Sequence, residues 1–391
     1  MTPPPRVAER LRPFGTTIFA EMTRLAVEHG AVNLSQGFPD FEGPEFVREA
    51  AVEAIRTGHN QYARPYGEVP LVEAIARWAE IGRDVDAMSE VTVTSGCTEA
   101  LAAIALGLFE PGDEVVLFEP YYDSYRAVVS MAGAESRFVP LRPPDDSHTS
   151  FWIDEGELRS AFGVRTKAVV VNTPHNPTGK VYTRDELELI ASLAREHDAL
   201  VISDEVYEKL VFDGRHLSIA SLDGMAERTV VASSLGKTFS LTGWKLGWTI
   251  APEHLTAGVR AAHQFLTFAS ATPLEHAAAA ALSNAEPYVS ELVADYRSKR
   301  DYLCGALERL GFRVFVPEGT YFIMGDHSAF GRGNDVEFCR WLTAEARVAA
   351  IPPSAFYERK ELGAPLVRFS FCKKMETLEA AVARLERSLR G

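Results

Sequence analysis

Two lysines, Lys237 and Lys245, lie in the stretch Ser233 to Trp248, which reads Ser-Ser-Leu-Gly-Lys-Thr-Phe-Ser-Leu-Thr-Gly-Trp-Lys-Leu-Gly-Trp. A lone lysine is ordinarily a solvated surface charge. Here the neighbours Leu235, Phe239, Leu241, Trp244 and Trp248 are too apolar for a surface loop. A lysine packed among them loses charge more readily, and its free amine becomes a nucleophile for a carbonyl, the chemistry of a Schiff base. Asp204 follows the apolar run Ala199 to Ile202. A carboxylate that deep requires a positive partner, either an arginine or a protonated heterocycle nitrogen. Arg368, inside the apolar Leu366-Val367-Arg368-Phe369-Ser370, poses the converse problem, met by an ion pair at a domain contact or by a bound carboxylate.

These groups need elements to carry them. Strands are expected at Val91 to Thr94, Glu114 to Phe118, Ser136 to Leu141, Lys167 to Asn172, Leu200 to Ser203, Thr229 to Ala232 and Leu246 to Ile250. Helices fall between most of them, at Thr98 to Phe109, Ser124 to Met131 and Thr183 to His197. The alternation predicts an α/β fold with a mainly parallel seven-stranded sheet sandwiched by helices, and ligands gathered at the strands' carboxyl ends. Three loops arrive there. Ser95-Gly96-Cys97-Thr98 opens a helix and offers free N–H groups to an anion, or is an ordinary turn. Asn172 to Gly179 holds two asparagine turns, and Asp204-Glu205-Val206-Tyr207 carries the carboxylate.

Upstream, helices are expected from Thr16 to Gly30, Pro44 to Thr57 and Glu68 to Ile81, with the turn-rich Asn33 to Asp40 as a loop. Downstream, Ala271 to Leu310 reads as one long helical connector. A smaller α+β domain follows, with strands at Phe312 to Val316, Tyr321 to Gly325 and Leu366 to Phe371 and helices at Asp335 to Glu345 and Met375 to Leu389. The domains expected are an N-terminal arm, 1–43, belonging to the small domain, a large domain, 44–295, and the C-terminal small domain, 296–391.

The net charge of -14 argues against nucleic-acid and anionic-membrane partners. Cys97, Cys304, Cys339 and Cys372 lie far apart with no metal-ligand spacing, so no metal is expected and the thiols read as reduced. No signal core or membrane span is evident, which places the protein in the cytoplasm, with Met1 to Arg6 as a loose tail. His175, His263 and His276 read as structural histidines.

The ordered set Asn172 to Gly179, Asp204 to Tyr207, Ser234-x-x-Lys237, Gly243-x-Lys245-x-Gly247 and Arg368 resembles the class I aminotransferases, pyridoxal-phosphate enzymes of fold type I. Leu34 to Asp40, Asn60-Gln61-Tyr62, Tyr122-Asp123-Ser124-Tyr125 and His263-Gln264 make it similar to the branch holding kynurenine aminotransferase, glutamine transaminase K and bacterial methionine aminotransferases. The resemblance implies that Lys237 forms the Schiff base with pyridoxal 5'-phosphate and then moves the substrate proton as acid and base. It implies that Asp204 keeps the pyridine nitrogen protonated and that Tyr207 and Asn176 hydrogen-bond the ring oxygen. Tyr122, rather than Tyr121, would stack on the ring. The Gly96 and Cys97 amides, Ser234 and Lys245 would hold the phosphate, joined by Tyr62 from the neighbouring subunit of a homodimer. Arg368 would clamp the substrate carboxylate with help from Gly37 and Asn172, and Phe19 and Phe268 would line the side-chain pocket.

Most class I members have arginine at Lys245, and kynurenine aminotransferase has Trp at Phe19 and Phe-His at Phe268-Ala269. These departures weaken the case for kynurenine itself. The implied reaction is ping-pong transfer of the amino group of a neutral amino acid (methionine, aromatic, glutamine or kynurenine-like) to a 2-oxo acid through pyridoxamine phosphate. Alternatives are β-elimination from cysteine conjugates and transamination of a biosynthetic substrate such as N-succinyl-2-amino-6-oxopimelate. A regulator that borrows the fold is disfavoured, because the stretch before Gly15 is too short for a DNA-binding extension.

Overall fold

The β-branched runs assemble into one eight-stranded sheet, ordered Val91–Thr94, Gly247–Ile250, Thr229–Ser234, Leu200–Asp204, Thr166–Asn172, Glu114–Glu119, Glu135–Arg142, Trp152–Ile153. The structure, a computed structural model, describes residues 7–389, so the opening Met1 to Arg6 lies outside the described residues. From Thr229–Ser234 to Glu135–Arg142 every pairing is parallel. Gly247–Ile250 runs antiparallel to both neighbours. The eighth strand, Trp152–Ile153, is a two-residue antiparallel edge, too short to leave a periodic signal in the sequence. The central strands are buried on both faces, which is why they read as continuous apolar runs.

Register decides what meets at the sheet's end. Asn172, Asp204 and Ala232 are aligned across three neighbouring strands, and Ser234, two residues beyond Ala232 on the last of these, is aligned with Gly247 and Thr94 on the next two. Three segments far apart in sequence therefore finish on one rim.

The expected connector from Ala271 to Leu310 is two helices, Thr272–Ser283 and Glu286–Arg309, parted at Asn284 and Ala285. Pro287 opens the second helix, where its missing N–H is harmless, but it would interrupt a continuous one. A further helix, Glu253–Leu266, packs on Gly96–Leu108. A Cβ on Gly258 would stand 2.6 Å from the Gly107 carbonyl oxygen, so the two helices meet backbone to backbone.

The C-terminal part holds an antiparallel sheet of Arg313–Phe315, Phe322–Asp326 and Leu366–Ser370. Val32–Asn33, from the N-terminal arm, pairs in parallel with Val348–Ala349. Phe312, Phe338 and Phe369 knit this layer together by edge contacts. No helix among the described residues is long and apolar enough to cross a membrane.

Candidate active site

Thr229–Ser234 leads straight into a four-residue helix, Leu235–Thr238, which carries Lys237 back over the sheet's rim. Leu235, Phe239, Leu246 and Trp248 are buried beneath it and explain the apolar spelling of the stretch. Lys237 borders a cavity whose wall also includes Gly96, Cys97, Tyr122, Asn172, Asn176, Asp204, Tyr207, Ser234 and Lys245. All ten of these residues were singled out by sequence.

The cavity's charges are short of partners. Lys237 makes no ion pair among the described residues, and its Nζ stands 5.7 Å and 5.9 Å from the ring centroids of Tyr207 and Tyr321. Burial lowers its pKa below that of an ordinary lysine, with nearby Cys372 and Asp204 opposing. Asp204 is 3% exposed, and burial pushes its carboxyl up against the Tyr125 hydroxyl and the Val206 amide, which favour the anion. Burial also raises the Tyr207 phenol and takes that of Tyr122 to about 12, so both are hydrogen-bond donors at neutral pH.

Arg368 is the clearest case. At 1% exposure it has no carboxylate within ion-pair distance among the described residues, and its Nε has no partner. Its Nη2 donates to the Ser35 carbonyl at 2.9 Å and its Nη1 to Asn176 Oδ1 at 3.3 Å. The guanidinium lies over Phe322, Phe19 and Phe356, at 4.2, 5.3 and 5.4 Å from their ring centroids. Burial lowers its pKa to about 10. A buried cation without a counter-ion is a place built for an anion.

A second anion site stands at the start of Gly96–Leu108. Its N-cap residue, Ser95, makes no side-chain cap, so the first N–H groups of the helix have no capping side chain among the described residues. Lys245, in the left-handed region at φ 52°, brings its Nζ to 3.4 Å from Thr98 Oγ1. A Cβ on Gly96 would meet that ammonium group at 3.3 Å, and one on Gly247 would stand 2.6 Å from the Cys97 nitrogen. Helix dipole, amides and ammonium group thus converge on one small space.

Other assignments fall differently. Asn172 spends its amide on backbone, donating from Nδ2 to the Asp204 carbonyl at 2.9 Å and accepting the Asn176 N–H at 2.7 Å. The Gly37 carbonyl accepts from the Tyr321 hydroxyl at 2.7 Å, which pins the loop beside Arg368. Tyr121 packs on Phe138, away from the cavity. Tyr62 and Phe268 lie apart from the cavity wall, exposed at 87% and 42% and edge to face at 5.5 Å. His175 and His263 are buried and hydrogen-bonded, while the His276 ring lies tilted against that of His59 at 3.8 Å. Sequence reasoning quoted Tyr125 as part of a motif but gave no role to it, although it donates to Asp204 Oδ2 at 2.7 Å, and it missed Tyr321, Phe322 and Phe356. An aromatic residue one helical turn beyond Tyr122 was the available signal for Tyr125.

Comparison with known proteins agrees with this geometry. Residues 29–385 match the family model for aminotransferase class I and II. The structure of N-succinyldiaminopimelate aminotransferase from Mycobacterium tuberculosis superposes with a TM-score of 0.94 and 48% identity, over 98% of this chain and 100% of that one. Methionine aminotransferase of Escherichia coli is 42% identical over 96% of this chain and 97% of its own length. Kynurenine–oxoglutarate transaminase of Dictyostelium discoideum is 41% identical over 94% and 93%.

The cavity fits the cofactor this family requires. The Gly96 to Thr98 helix start with Lys245 suits a phosphate, Asp204 suits a protonated ring nitrogen, and Lys237 offers the amine for an aldehyde. Arg368 is left without a counter-ion among the described residues. The chain belongs to the class I and II aminotransferases, pyridoxal-phosphate-dependent enzymes of fold type I that act on amino acids and 2-oxo acids.

Proposed function

We propose that the enzyme takes its amino group from a neutral amino acid with an apolar or aromatic side chain, with methionine, aromatic residues, glutamine and kynurenine as the class. The observation that carries this is Arg368, a single unpaired clamp set among Phe19, Phe322 and Phe356. One carboxylate and an apolar side chain satisfy that surface.

Pyridoxal phosphate supplies an electron sink that makes the substrate Cα–H acidic. The residues do the rest. Arg368 holds the α-carboxylate, helped by Gly37 and Asn172, and thereby aims the Cα–H at Lys237. Lys237 Nζ, whose pKa burial lowers, takes that proton and later returns one. Asp204 would keep the proton on the ring nitrogen, Tyr207 and Asn176 would hydrogen-bond the ring oxygen, Tyr122 would stack on the ring, and Gly96, Cys97, Ser234 and Lys245 would hold the phosphate.

The working unit in this reading is a homodimer in which Tyr62 of the partner subunit reaches the phosphate and Phe268 of the partner subunit the substrate side chain. The exposure of Tyr62, Phe265 and Phe268 on one chain supports it. The division into 1–43 with 296–391 and 44–295 is supported by the pairing of Val32–Asn33 with Val348–Ala349. Four free cysteines support a reducing compartment, the cytoplasm.

A second reading, transamination of an N-succinylated diaminopimelate, is favoured by the 48% identity to the mycobacterial enzyme. One experiment separates the two. Holoenzyme without oxo acid is mixed in turn with methionine, phenylalanine, kynurenine, glutamine, aspartate and N-succinyldiaminopimelate, and loss of the visible absorption band is timed. Methionine and phenylalanine are expected to bleach it faster than aspartate does. Bleaching by N-succinyldiaminopimelate alone would establish the second reading, and a band that persists with every donor would contradict both.

A further inference from the structure

Asp204 lies at the end of Leu200–Asp204 with its two oxygens unequally served. Oδ2 accepts the Tyr125 hydroxyl at 2.7 Å and Oδ1 the Val206 N–H at a long 3.3 Å, while the Cys97 thiol also favours the carboxylate's charged form. Tyr125 is itself buried, at 4% exposure, on the helix Asp123–Met131, and its ring stands edge to face with that of Tyr122 at 5.6 Å. One helical turn thus presents two tyrosines to the same space. Tyr122 offers a ring face, and Tyr125 offers a hydroxyl from behind the carboxylate.

We propose that Tyr125 is a positioning residue for amino transfer: by donating to Asp204 Oδ2 it fixes the carboxylate's orientation and keeps the shared proton on the cofactor's ring nitrogen. The inference rests on the reading of Asp204 given above. Two bases compete for that proton, the ring nitrogen and the carboxylate. A buried carboxylate with no strong donor is the more basic of the two, and it draws the proton onto itself. A hydroxyl bound to one carboxylate oxygen lowers its basicity through a charge-assisted hydrogen bond. Burial keeps the Tyr125 phenol protonated, so it stays a donor throughout the working pH range. The cofactor ring stays cationic only as long as Asp204 remains the weaker base.

A tyrosine that merely satisfied its hydroxyl in the core would leave the ring nitrogen untouched, and this decides the test. Holoenzyme reconstituted with cofactor 15N-labelled at the ring nitrogen is compared for wild type, Tyr125→Phe and Asp204→Asn. In Tyr125→Phe the resonance is expected to move toward the unprotonated position. The saturating rate of the donor half-reaction should fall roughly 10- to 100-fold, the effect of one lost hydrogen bond to a charged group, while half-saturation by the donor changes little. A wild-type resonance in Tyr125→Phe overturns the inference. If Tyr125→Phe does not fold, site-specific 3-fluorotyrosine at position 125 keeps size and hydroxyl but donates more strongly. The ring-nitrogen resonance should then stay at the protonated position or move further toward it, and a shift toward the unprotonated position overturns the proposal. Asp204→Asn separates the two levels: a ring that stays protonated there refutes the role of Asp204, whereas a silent Tyr125→Phe beside a responsive Asp204→Asn refutes only the role of Tyr125.

Discussion

Asp204 and Glu205 are chain neighbours and almost equally buried, at 3% and 2% exposure, yet they lie in opposite kinds of surroundings. Asp204 faces the cavity with Lys237, where charges are short of partners. Glu205 sits in a network of partners: Ser203 and Ser218 hydroxyls donate to its Oε1 at 2.6 Å, and His216 Nε2 lies 2.9 Å from its Oε2. Nearby, Glu208 accepts the Trp78 indole N–H at 2.6 Å and the Ser233 hydroxyl at 3.4 Å. Burial alone would lower the His216 pKa, but the Glu205 carboxylate overrides it and holds the imidazole above its usual range. Burial with partners serves the fold, whereas burial without them marks a binding site.

The sharpest test of that contrast replaces one buried charge on each side. Arg368→Leu should cut kcat/KM by on the order of 10²-fold or more, because the substrate loses its orienting contact. The folded apoenzyme should be no less stable, since an uncompensated cation has been removed. Kinetics and urea denaturation on the same preparation check both halves. A variant that lost stability and kept activity would break the comparison. Glu205→Gln should do the reverse, costing about 3 kcal/mol of stability through the broken buried pair. Its kcat per folded molecule should stay within about threefold of wild type, since Glu205 touches no reacting atom.

A smaller effect comes from His175, buried at 1% exposure with Nδ1 2.8 Å from Thr178 Oγ1. Burial lowers its pKa from an ordinary 6.5 to about 3. The unfolded chain therefore binds this proton more tightly than the folded one. Stability on this account is full above pH 6.5 and falls as the pH drops toward 3. His175→Gln should flatten the acid limb of stability measured by urea titration between about pH 7 and 4, and an unchanged slope would contradict the assignment.

Much of this was legible in the sequence, for reasons visible in particular residues. Strands buried on both faces spell unbroken apolar runs, so Thr166–Asn172, Leu200–Asp204 and Thr229–Ser234 announced themselves, together with the polar residues that end them. The helix Glu253–Leu266 was hidden because His263 and its neighbours drew attention as a motif rather than as a periodic face. The break at Asn284 and Ala285 depends on how one proline is placed in a turn. Tyr125, Tyr321 and Phe356 escaped because their roles arise from contacts between distant segments. Tyr62 and Phe268 were named on family likeness, and within one chain they stand apart from the cavity.

The central claim is that Lys237 is the cofactor's anchor in a cavity of under-partnered charges. It is tested most directly by treating holoenzyme with borohydride, which fixes a lysine-bound aldehyde covalently, and mapping the labelled peptide. The account predicts label on Lys237 alone, and neither label nor turnover in Lys237→Ala. Label on Lys245 or any other lysine, or a Lys237→Ala protein that keeps both, would contradict it.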